Sequence, residues 1–250
     1  RAAVPVVAAD HGGVSSGVVK LWKRKAFKRA VALYSQTPDE LDIVQSLGAR
    51  AYFQPNGCDT SRFFPDPNVK RSKTILTVAR LTNRQKRTSD LIRALPLLDE
   101  EWTLDIVGTG PDLEVLQQVA AASGVAARVR FQGFLKGDAV RNHLQRCGVY
   151  AMPSENEAVA IAALEAMGCG CSMVLSHIRA FEQLVTDGVN GRLVPVGDVP
   201  ALASAIEEAW KMRELWGAAA VETIHQRFDT RVLYKNLAAS LRDAAVLNVH

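Results

Sequence analysis

Two glutamates, Glu157 and Glu165, stand with seven residues between them late in the chain. A short apolar run ending at Met152 precedes them, and the small-residue string 166–170 follows. A strand ending at Met152, a loop and a helix carrying Glu165 would place both carboxylates at the carboxyl edge of a parallel sheet, where open α/β sheets bind ligands. A carboxylate at that edge suits a bidentate hydrogen bond to two adjacent hydroxyl groups, as acids form with ribose in other nucleotide sites.

Two cations, Arg80 and Lys86, follow a predicted strand, Thr74–Val78, and precede a predicted helix, Ser89–Leu98. This position directs both side chains over the same sheet edge as the glutamates. Paired cations in a preorganised pocket stabilise the negative charge of a leaving diphosphate without a metal ion. The alternative is a solvated basic loop, and the placement relative to the two glutamates favours the anion site.

A glycine turn, Gly108-Thr109-Gly110-Pro111-Asp112, joins the predicted strand Thr103–Val107 to a predicted helix. Pro and Asp suit the first helical turn. The third glycine of a dinucleotide fingerprint is absent, because position 113 is Leu, and no acid ends a following strand at the usual place. The turn therefore does not indicate a nicotinamide site.

These motifs, in this order, resemble the retaining glycosyltransferases of GT-B architecture, in particular their large fourth family, which uses nucleotide-sugar donors. The resemblance implies that Arg80 and Lys86 bind the donor's diphosphate and that Gly108 and Gly110 lie beside the nucleotide. It implies a ribose contact for Glu165 and donor-sugar hydroxyls for Glu157. For Glu157 a second interpretation stays open, a carboxylate that satisfies free N–H groups at a helix start.

Two further positions come from the same resemblance. The family usually has Gly-Phe-Gly after the first glutamate, whereas this chain has Ala158-Val159-Ala160 at the donor site, where a left-handed backbone would be disfavoured. His11 ends the first predicted strand, Val4–Ala9. A lone histidine is usually structural or solvated, whereas the resemblance places it near the transferred sugar, as a catalytic residue with Glu157.

The alternation of strands and helices predicts an α/β chain of GT-B type, in which a doubly wound, Rossmann-like donor domain follows the remnant of a second Rossmann-like domain. We expect the remnant of an acceptor-binding domain over 1–56, the donor domain over 57–226 and a crossing helix over 227–250. Because the chain opens with Arg1 directly before an apolar run, we interpret it as truncated at its N-terminus.

Composition narrows the classes of protein. The 250 residues are 48% hydrophobic and 22% charged, which supports a substantial core and excludes global disorder. Four cysteines without an export signal predict free thiols and a cytoplasmic location. Cys169-x-Cys171 is too close for the usual zinc pair. We expect no cofactor, no metal and no nucleic-acid partner.

Six basic residues crowd positions 20–29, interleaved with Leu21, Trp22 and Phe27. An ordinary surface helix with its apolar side in the core is the simpler interpretation. The functional interpretation is a basic face that contacts the inner face of the membrane or a phosphorylated acceptor.

The resemblance therefore implies a transferase that moves a sugar from a nucleotide diphosphate donor to a hydroxyl of a carbohydrate or lipid-linked acceptor, with retention. This would serve the assembly of a glycan, glycolipid or cell-surface polysaccharide. Two alternatives stay open. One is a nucleotide-sugar binding module without turnover, and the other is a different GT-B enzyme, a phosphorylase or an epimerase.

Overall fold

The structure, a computed structural model, describes residues 7–10, 32–48, 50–158 and 160–246. His11, the basic segment 20–29 and Val159 lie outside the described residues. The chain divides into two compact units, residues 1–57 with 227–250, and residues 58–226. Apart from His11 and Val159, the predicted site residues are described, and all of these belong to the second unit.

The first unit contains a parallel sheet in the order β1-β2-β3. Its described elements are β1 (Val7–Asp10), β2 (Ala32–Ser35), α1 (Pro38–Ser46), β3 (Ala51–Phe53) and α10 (Thr230–Val246). Leu33, Val44 and Ala51 form a small core between the sheet and α1. On the other face of the sheet, the Tyr34 hydroxyl lies 2.7 Å from Ser240 Oγ of α10. The terminal helix is therefore tied to the sheet of this unit.

The second unit is built on a six-stranded parallel sheet in the order β6-β5-β4-β7-β8-β9. The chain moves outward from β4 through β5 and β6, then returns to place β7 on the other side of β4. The winding direction thus reverses between β4 and β7, which confirms the predicted doubly wound sheet. The strands are β4 (Ser72–Val78), β5 (Thr103–Val107), β6 (Val129–Gly133), β7 (Cys147–Met152), β8 (Ser172–Ser176) and β9 (Gly191–Val194).

Helices cover both faces of this sheet, as a parallel sheet requires. They are α2 (Asn83–Lys86), α3 (Thr88–Ala94), α4 (Leu113–Ala122), α5 (Asp138–Arg146), α6 (Ile161–Gly168), α7 (Arg179–Glu182), α8 (Val199–Lys211) and α9 (Arg213–Thr223). Every residue of β7 and β8 is buried. Among the helices of the described residues, none combines the length and apolarity needed to cross a bilayer.

Two predicted helices are corrected by the structure. Ser89–Leu98 is α3 followed by a 3-10 turn, Leu95–Leu97, because Pro96 lacks the N–H that a continuing helix needs. The crossing helix, expected over 227–250, begins at Thr230 after a π-helical turn, Ile224–Phe228.

Three further helices, α2, α7 and α9, have no clear pattern in the sequence. The last of these contains Gly217, a residue that weakens a helix interior. The structure supplies the compensation, since a Cβ at Gly217 would lie 2.4 Å from the Gly170 carbonyl oxygen. Trp216 beside it is 1% exposed. Close packing on the loop before β8 therefore stabilises a helix that local propensity does not favour.

The carboxyl edge is held together by backbone contact between two loops. A Cβ at Gly108, where φ is +135°, would lie 1.9 Å from the Ala79 carbonyl oxygen, and one at Gly110 would lie 2.4 Å from that of Leu81. The Leu81 N–H donates to the Thr109 carbonyl at 3.0 Å. The close approach of the two loops therefore requires glycine at positions 108 and 110. This approach fixes the backbone around Arg80.

Replacing Gly108 with Ala tests this packing. We expect the free energy of unfolding to fall by about 3 kcal/mol, because the new methyl group adds a backbone clash to an unfavourable φ. Gly124→Ala is the matched control. Its φ is +69°, and a Cβ there would have nothing within 4 Å, so the backbone cost alone, about 1 kcal/mol, should remain. Equal losses for the two variants in urea denaturation would contradict the clash.

Candidate functional site

The loops that follow β4 and β7 meet at the switch point of the sheet. The Glu155 N–H donates to the Gln85 carbonyl at 2.8 Å. The Gln85 side-chain amide in turn donates to the Asn156 carbonyl at 3.3 Å. Open α/β sheets leave a crevice at such a point, because the crossovers on the two sides run in opposite directions. Here that crevice is bordered by α2 and by the loop that carries Glu157.

Lys86 and Glu157 form an ion pair across this junction. Lys86 Nζ lies 2.6 Å from Glu157 Oε1, and the Ser154 hydroxyl donates to the same oxygen at 2.8 Å. The two side chains are 16% and 5% exposed. Within the described residues, the side-chain partners of the Glu157 carboxylate are Lys86 and Ser154, which favours a role in this contact over the alternative role at a helix start. The structure brings Lys86 and Glu157 together, as the sequence analysis expects of residues at one sheet edge.

Glu165 is the fifth residue of α6 and is half-buried. Burial raises the pKa of its carboxyl group, and the positive charge of Arg62 opposes that shift. Within the described residues no hydrogen bond or ion pair reaches this carboxylate. A partly desolvated acid without a protein partner is well suited to accept hydrogen bonds from two adjacent hydroxyls of a ligand.

Tyr150 is a residue near the site that the sequence analysis missed. Burial, and then the charges of Glu157 and Glu165, raise the pKa of its hydroxyl well above the ordinary value. Both glutamates therefore act electrostatically on one buried side chain of β7. The signal in the sequence is a tyrosine two residues before the end of a strand that is otherwise apolar or small.

A cavity of about 510 Å³ opens beside Arg80 at the carboxyl ends of β4, β5 and β6. Its walls are Val78, Ala79, Arg80, Val107, Gly108, Thr109, Gly110, Phe134 and Leu135. Arg80 is exposed, and within the described residues no acid pairs with it. Phe134 is 66% exposed, and Lys136 Nζ lies 5.4 Å from the centre of its ring. The sequence analysis missed Phe134, although its position just after β6 places it at this edge.

A larger polar cleft, about 810 Å³, lies on the α3 side of the same junction. Its charges are mostly paired with one another: Arg87 contacts Asp90 at 2.7 Å and Glu155 at 3.2 Å, and Arg93 contacts Asp90 at 3.3 Å. The smaller cavity presents a cation without an acidic partner among the described residues, together with apolar and glycine surface. We therefore take the smaller cavity, not the larger cleft, as the better site for an anionic ligand with a planar ring.

The Ala158-Val159-Ala160 segment does not require left-handed backbone at its two described residues. Arg87 is the described non-glycine residue with positive φ, whereas φ of Ala160 is −99°. Ala158 is exposed and Ala160 is buried. In the described part of the chain, no group of three or more His, Cys, Asp or Glu side chains is arranged to hold a metal ion.

Comparison with known proteins places this geometry in context. Residues 72–212 match a family model described as glycosyl transferases group 1. The chain is 30% identical over 249 residues to the phosphatidyl-myo-inositol mannosyltransferase of Mycobacterium leprae, covering 92% of this chain and 64% of that protein. It is 34% identical over 172 residues to the GDP-mannose-dependent alpha-(1-6)-phosphatidylinositol monomannoside mannosyltransferase of Mycolicibacterium smegmatis, covering 61% and 45%.

A solved structure of Anabaena HepE in complex with UDP matches with a TM-score of 0.84 at 22% identity, covering 96% of this chain and 72% of that one. The likeness confirms the predicted GT-B fold class. The chain spans about half to two thirds of the length of the two curated relatives.

Variants of the Lys86–Glu157 pair test how much this contact stabilises the junction. Lys86→Met should lower the free energy of unfolding by about 3 kcal/mol, because it leaves a nearly buried carboxylate without its counter-charge. Lys86→Met combined with Glu157→Gln should lose less than the single variant. Lys73→Met, at a pair whose acid Asp99 is 65% exposed, should cost much less, because solvent screens an exposed ion pair. A double variant as unstable as Lys86→Met would show that the pair's charge is not what matters.

Glu165→Gln should stabilise the folded chain near neutral pH, because burial disfavours the charged carboxylate that the substitution removes. The gain should shrink between about pH 7 and about pH 4, since a protonated Glu165 carries no such cost. Denaturant unfolding across this range checks the sign. Glu100→Gln, at an exposed glutamate before β5, should show no pH-dependent gain. If Glu165→Gln instead lowers stability at neutral pH, the desolvation argument is contradicted.

Proposed function

Because the chain belongs to the family of glycosyl transferases group 1, we propose that it carries the nucleotide-sugar site of a hexose-transferring glycosyltransferase. The observation that carries the proposal is the set of charges at the switch point. Lys86 and Glu157 are paired with each other, whereas the side chains of Arg80 and the half-buried Glu165 form no hydrogen bond or ion pair within the described residues. A nucleotide would supply a partner for each of them, since its diphosphate would pair with Arg80 and its ribose hydroxyls would donate to Glu165.

Each part of the donor has a matching surface. The base fits the cavity bordered by Phe134, Gly108 and Gly110, because aromatic and glycine surface accommodates a planar ring. The ribose diol is assigned to Glu165, and the diphosphate to Arg80 and Lys86. The donor sugar is assigned to Glu157, whose second carboxylate oxygen is available beside the one that accepts from Lys86 and Ser154.

The proposed chemistry follows from charge. As the bond to the sugar breaks, negative charge grows on the leaving nucleoside diphosphate, and two fixed cations stabilise it without solvent reorganisation. This supports a reaction that needs no metal ion or cofactor. By the family resemblance we propose attack on the same face of an oxocarbenium-like sugar, with retention, and His11 near the reacting carbon.

The relatives narrow the substrates to be tested. One is described as GDP-mannose-dependent, both are described as phosphatidylinositol-type mannosyltransferases, and HepE was solved with UDP. We propose a GDP- or UDP-activated hexose as donor and a lipid-linked or phosphorylated polyol as acceptor. The basic segment 20–29 is the proposed contact with the inner face of a membrane, which would fit a cytoplasmic enzyme acting on a lipid.

A second candidate, nucleotide-sugar binding without turnover, is supported by a specific observation. The Gly-Phe-Gly expected after the first glutamate is replaced by Ala158-Val159-Ala160, so methyl groups stand where the backbone would approach the donor. Binding and turnover must therefore be measured separately.

Calorimetric titration with GDP, UDP and ADP tests the binding site directly. We expect one nucleotide to bind, with equal affinity in EDTA and in Mg²⁺. Glu165→Gln should weaken binding about 10- to 100-fold, because a charged hydrogen-bond acceptor is lost. Arg80→Gln should weaken the binding of the diphosphate about tenfold and leave that of the nucleoside unchanged. Glu100→Gln is the control for loss of an acid at the opposite edge of the sheet.

The outcomes separate the alternatives. Binding that survives Glu165→Gln, or that needs Mg²⁺, would overturn the proposed site. Binding together with release of GDP from GDP-mannose, or of UDP from a UDP-hexose, that depends on added acceptor and is matched by glycosylated acceptor supports the transferase. Binding of the intact nucleotide sugar without any transfer supports the binding module.

A further inference from the structure

A pair of thiols lies at the amino edge of the second unit's sheet, opposite the proposed donor site. Cys147 begins β7, and Cys171 directly precedes β8. Their sulfur atoms are 3.6 Å apart. The two strands are parallel neighbours in which Val149 pairs with Ser172, so the cysteines lie within one residue of facing each other. Neighbouring strands are about 4.8 Å apart, which is within the Cα separation that a disulfide tolerates.

The surroundings differentiate the two thiols. Both sulfurs lie close to the Leu144 carbonyl oxygen, at 3.4 Å for Cys147 and 3.1 Å for Cys171. Arg71 Nη1 lies 3.7 Å from the Cys171 sulfur and donates to the Cys147 carbonyl at 2.8 Å. Burial opposes ionisation of Cys171, but the hydrogen bond with Cys147 and the charge of Arg71 lower its pKa. Burial raises the pKa of Cys147. Because the Arg71 guanidinium contacts the Cys171 sulfur, ionisation is favoured at Cys171 over Cys147.

The other two cysteines, Cys58 and Cys169, are also buried and take part in no disulfide. For Cys169 burial is the largest influence, and it raises the pKa of the thiol. A buried cysteine whose thiol stays protonated behaves as a small apolar residue. The lowered pKa of Cys171 therefore distinguishes it from Cys169, two residues earlier in the chain.

A cavity of about 670 Å³ lies near the pair, at the same edge of the sheet. Its wall includes Arg71, which contacts the Cys171 sulfur, and Gly170, the residue before Cys171. Cys147 and Cys171 are themselves buried, at 1% and 0% exposed. A small uncharged oxidant such as hydrogen peroxide is therefore better suited to reach them than a bulky disulfide.

We propose that Cys147 and Cys171 are a peroxide-sensitive dithiol that closes to a disulfide in the folded protein. The Cys171 thiolate attacks one peroxide oxygen and breaks the O–O bond, giving a sulfenic acid and hydroxide, which takes up the proton that the thiol released. The Cys147 thiol then attacks the sulfenic sulfur, forming the S–S bond and releasing water. Two thiols are oxidised and one peroxide is reduced to two waters.

A disulfide between Cys147 and Cys171 would constrain the segment that carries the proposed donor site. Residues 147–171 enclose Glu157 and Glu165, so the disulfide would tie together the two ends of the segment that carries both acids. The inference itself rests on the thiol geometry and does not depend on the proposed function.

Intact-mass analysis of the folded chain after hydrogen peroxide tests the proposal. We expect a loss of about 2 Da, and thiol titration after unfolding should find two of the four cysteines. Peptide mapping should join Cys147 to Cys171. Cys58→Ala should still lose about 2 Da, whereas Cys147→Ala should not and should instead leave a sulfenic acid that dimedone traps at Cys171.

Three results would overturn the proposal: four titratable thiols after peroxide, a bond that joins other cysteines, or the same mass loss in Cys147→Ala. Circular dichroism before oxidation establishes that each variant is folded, and Cys171→Ala provides a second variant if Cys147→Ala is not. Oxidised glutathione, applied in parallel, should react more slowly than peroxide, because the sulfurs are buried. If oxidised glutathione reacted faster than peroxide, the inference that only a small oxidant reaches the buried sulfur atoms would be contradicted.

Discussion

The junction between the loops after β4 and β7 depends on one ion pair, Lys86 with Glu157. The two strands are neighbours in the sheet, but they are far apart in sequence and lead into helices wound in opposite directions. The sequence of either loop alone does not determine which loop it packs against. The buried ion pair joins the two loops at the base of the crevice. The Ser154 hydroxyl and the backbone hydrogen bond from Glu155 to Gln85 support it. Such a pair adds little net stability, because the cost of desolvating both charges offsets their attraction, whereas removing one partner is costly.

Charge at the carboxyl edge is divided between groups that hold the structure and groups left available. Lys86, Arg87 and Glu157 contact protein partners, whereas Arg80 and Glu165 have none within the described residues. Keeping Glu165 half-buried without a partner raises its pKa and costs stability. Natural proteins retain such costs mainly where a ligand is bound, because the same desolvation strengthens a hydrogen bond to the ligand. The charges that the fold leaves without an ion pair, Arg80 and Glu165, are therefore the ones that the proposed donor site uses.

The amino edge is organised by Arg71 in a different way. Its guanidinium donates to the Leu144 carbonyl in the last turn of α5 and to the Cys169 carbonyl at the end of α6. A cation at helix C-termini satisfies free carbonyl groups and the negative end of the helix dipoles. The same group lies beside the Cys171 sulfur. One arginine therefore connects two helix ends, two strand starts and the thiol pair, at the edge opposite the glutamates.

The sequence by itself determined the parallel doubly wound sheet and the edge at which Glu157, Glu165, Arg80 and Lys86 lie. Strand and helix periodicity, together with the right-handed crossover of parallel strands, leaves few other topologies. It did not determine α9, because Gly217 disfavours a helix until the Gly170 loop packs against it.

Only the tertiary structure decided which charges pair. It assigned Lys86 to Glu157, left Glu165 without a partner among the described residues, and showed that Gly108 and Gly110 serve the approach of two loops. It also brought Phe134 to the cavity and Cys147 to Cys171. The physical reason is that these contacts join residues distant in the chain, and their distances depend on strand register and side-chain packing, which local patterns do not encode.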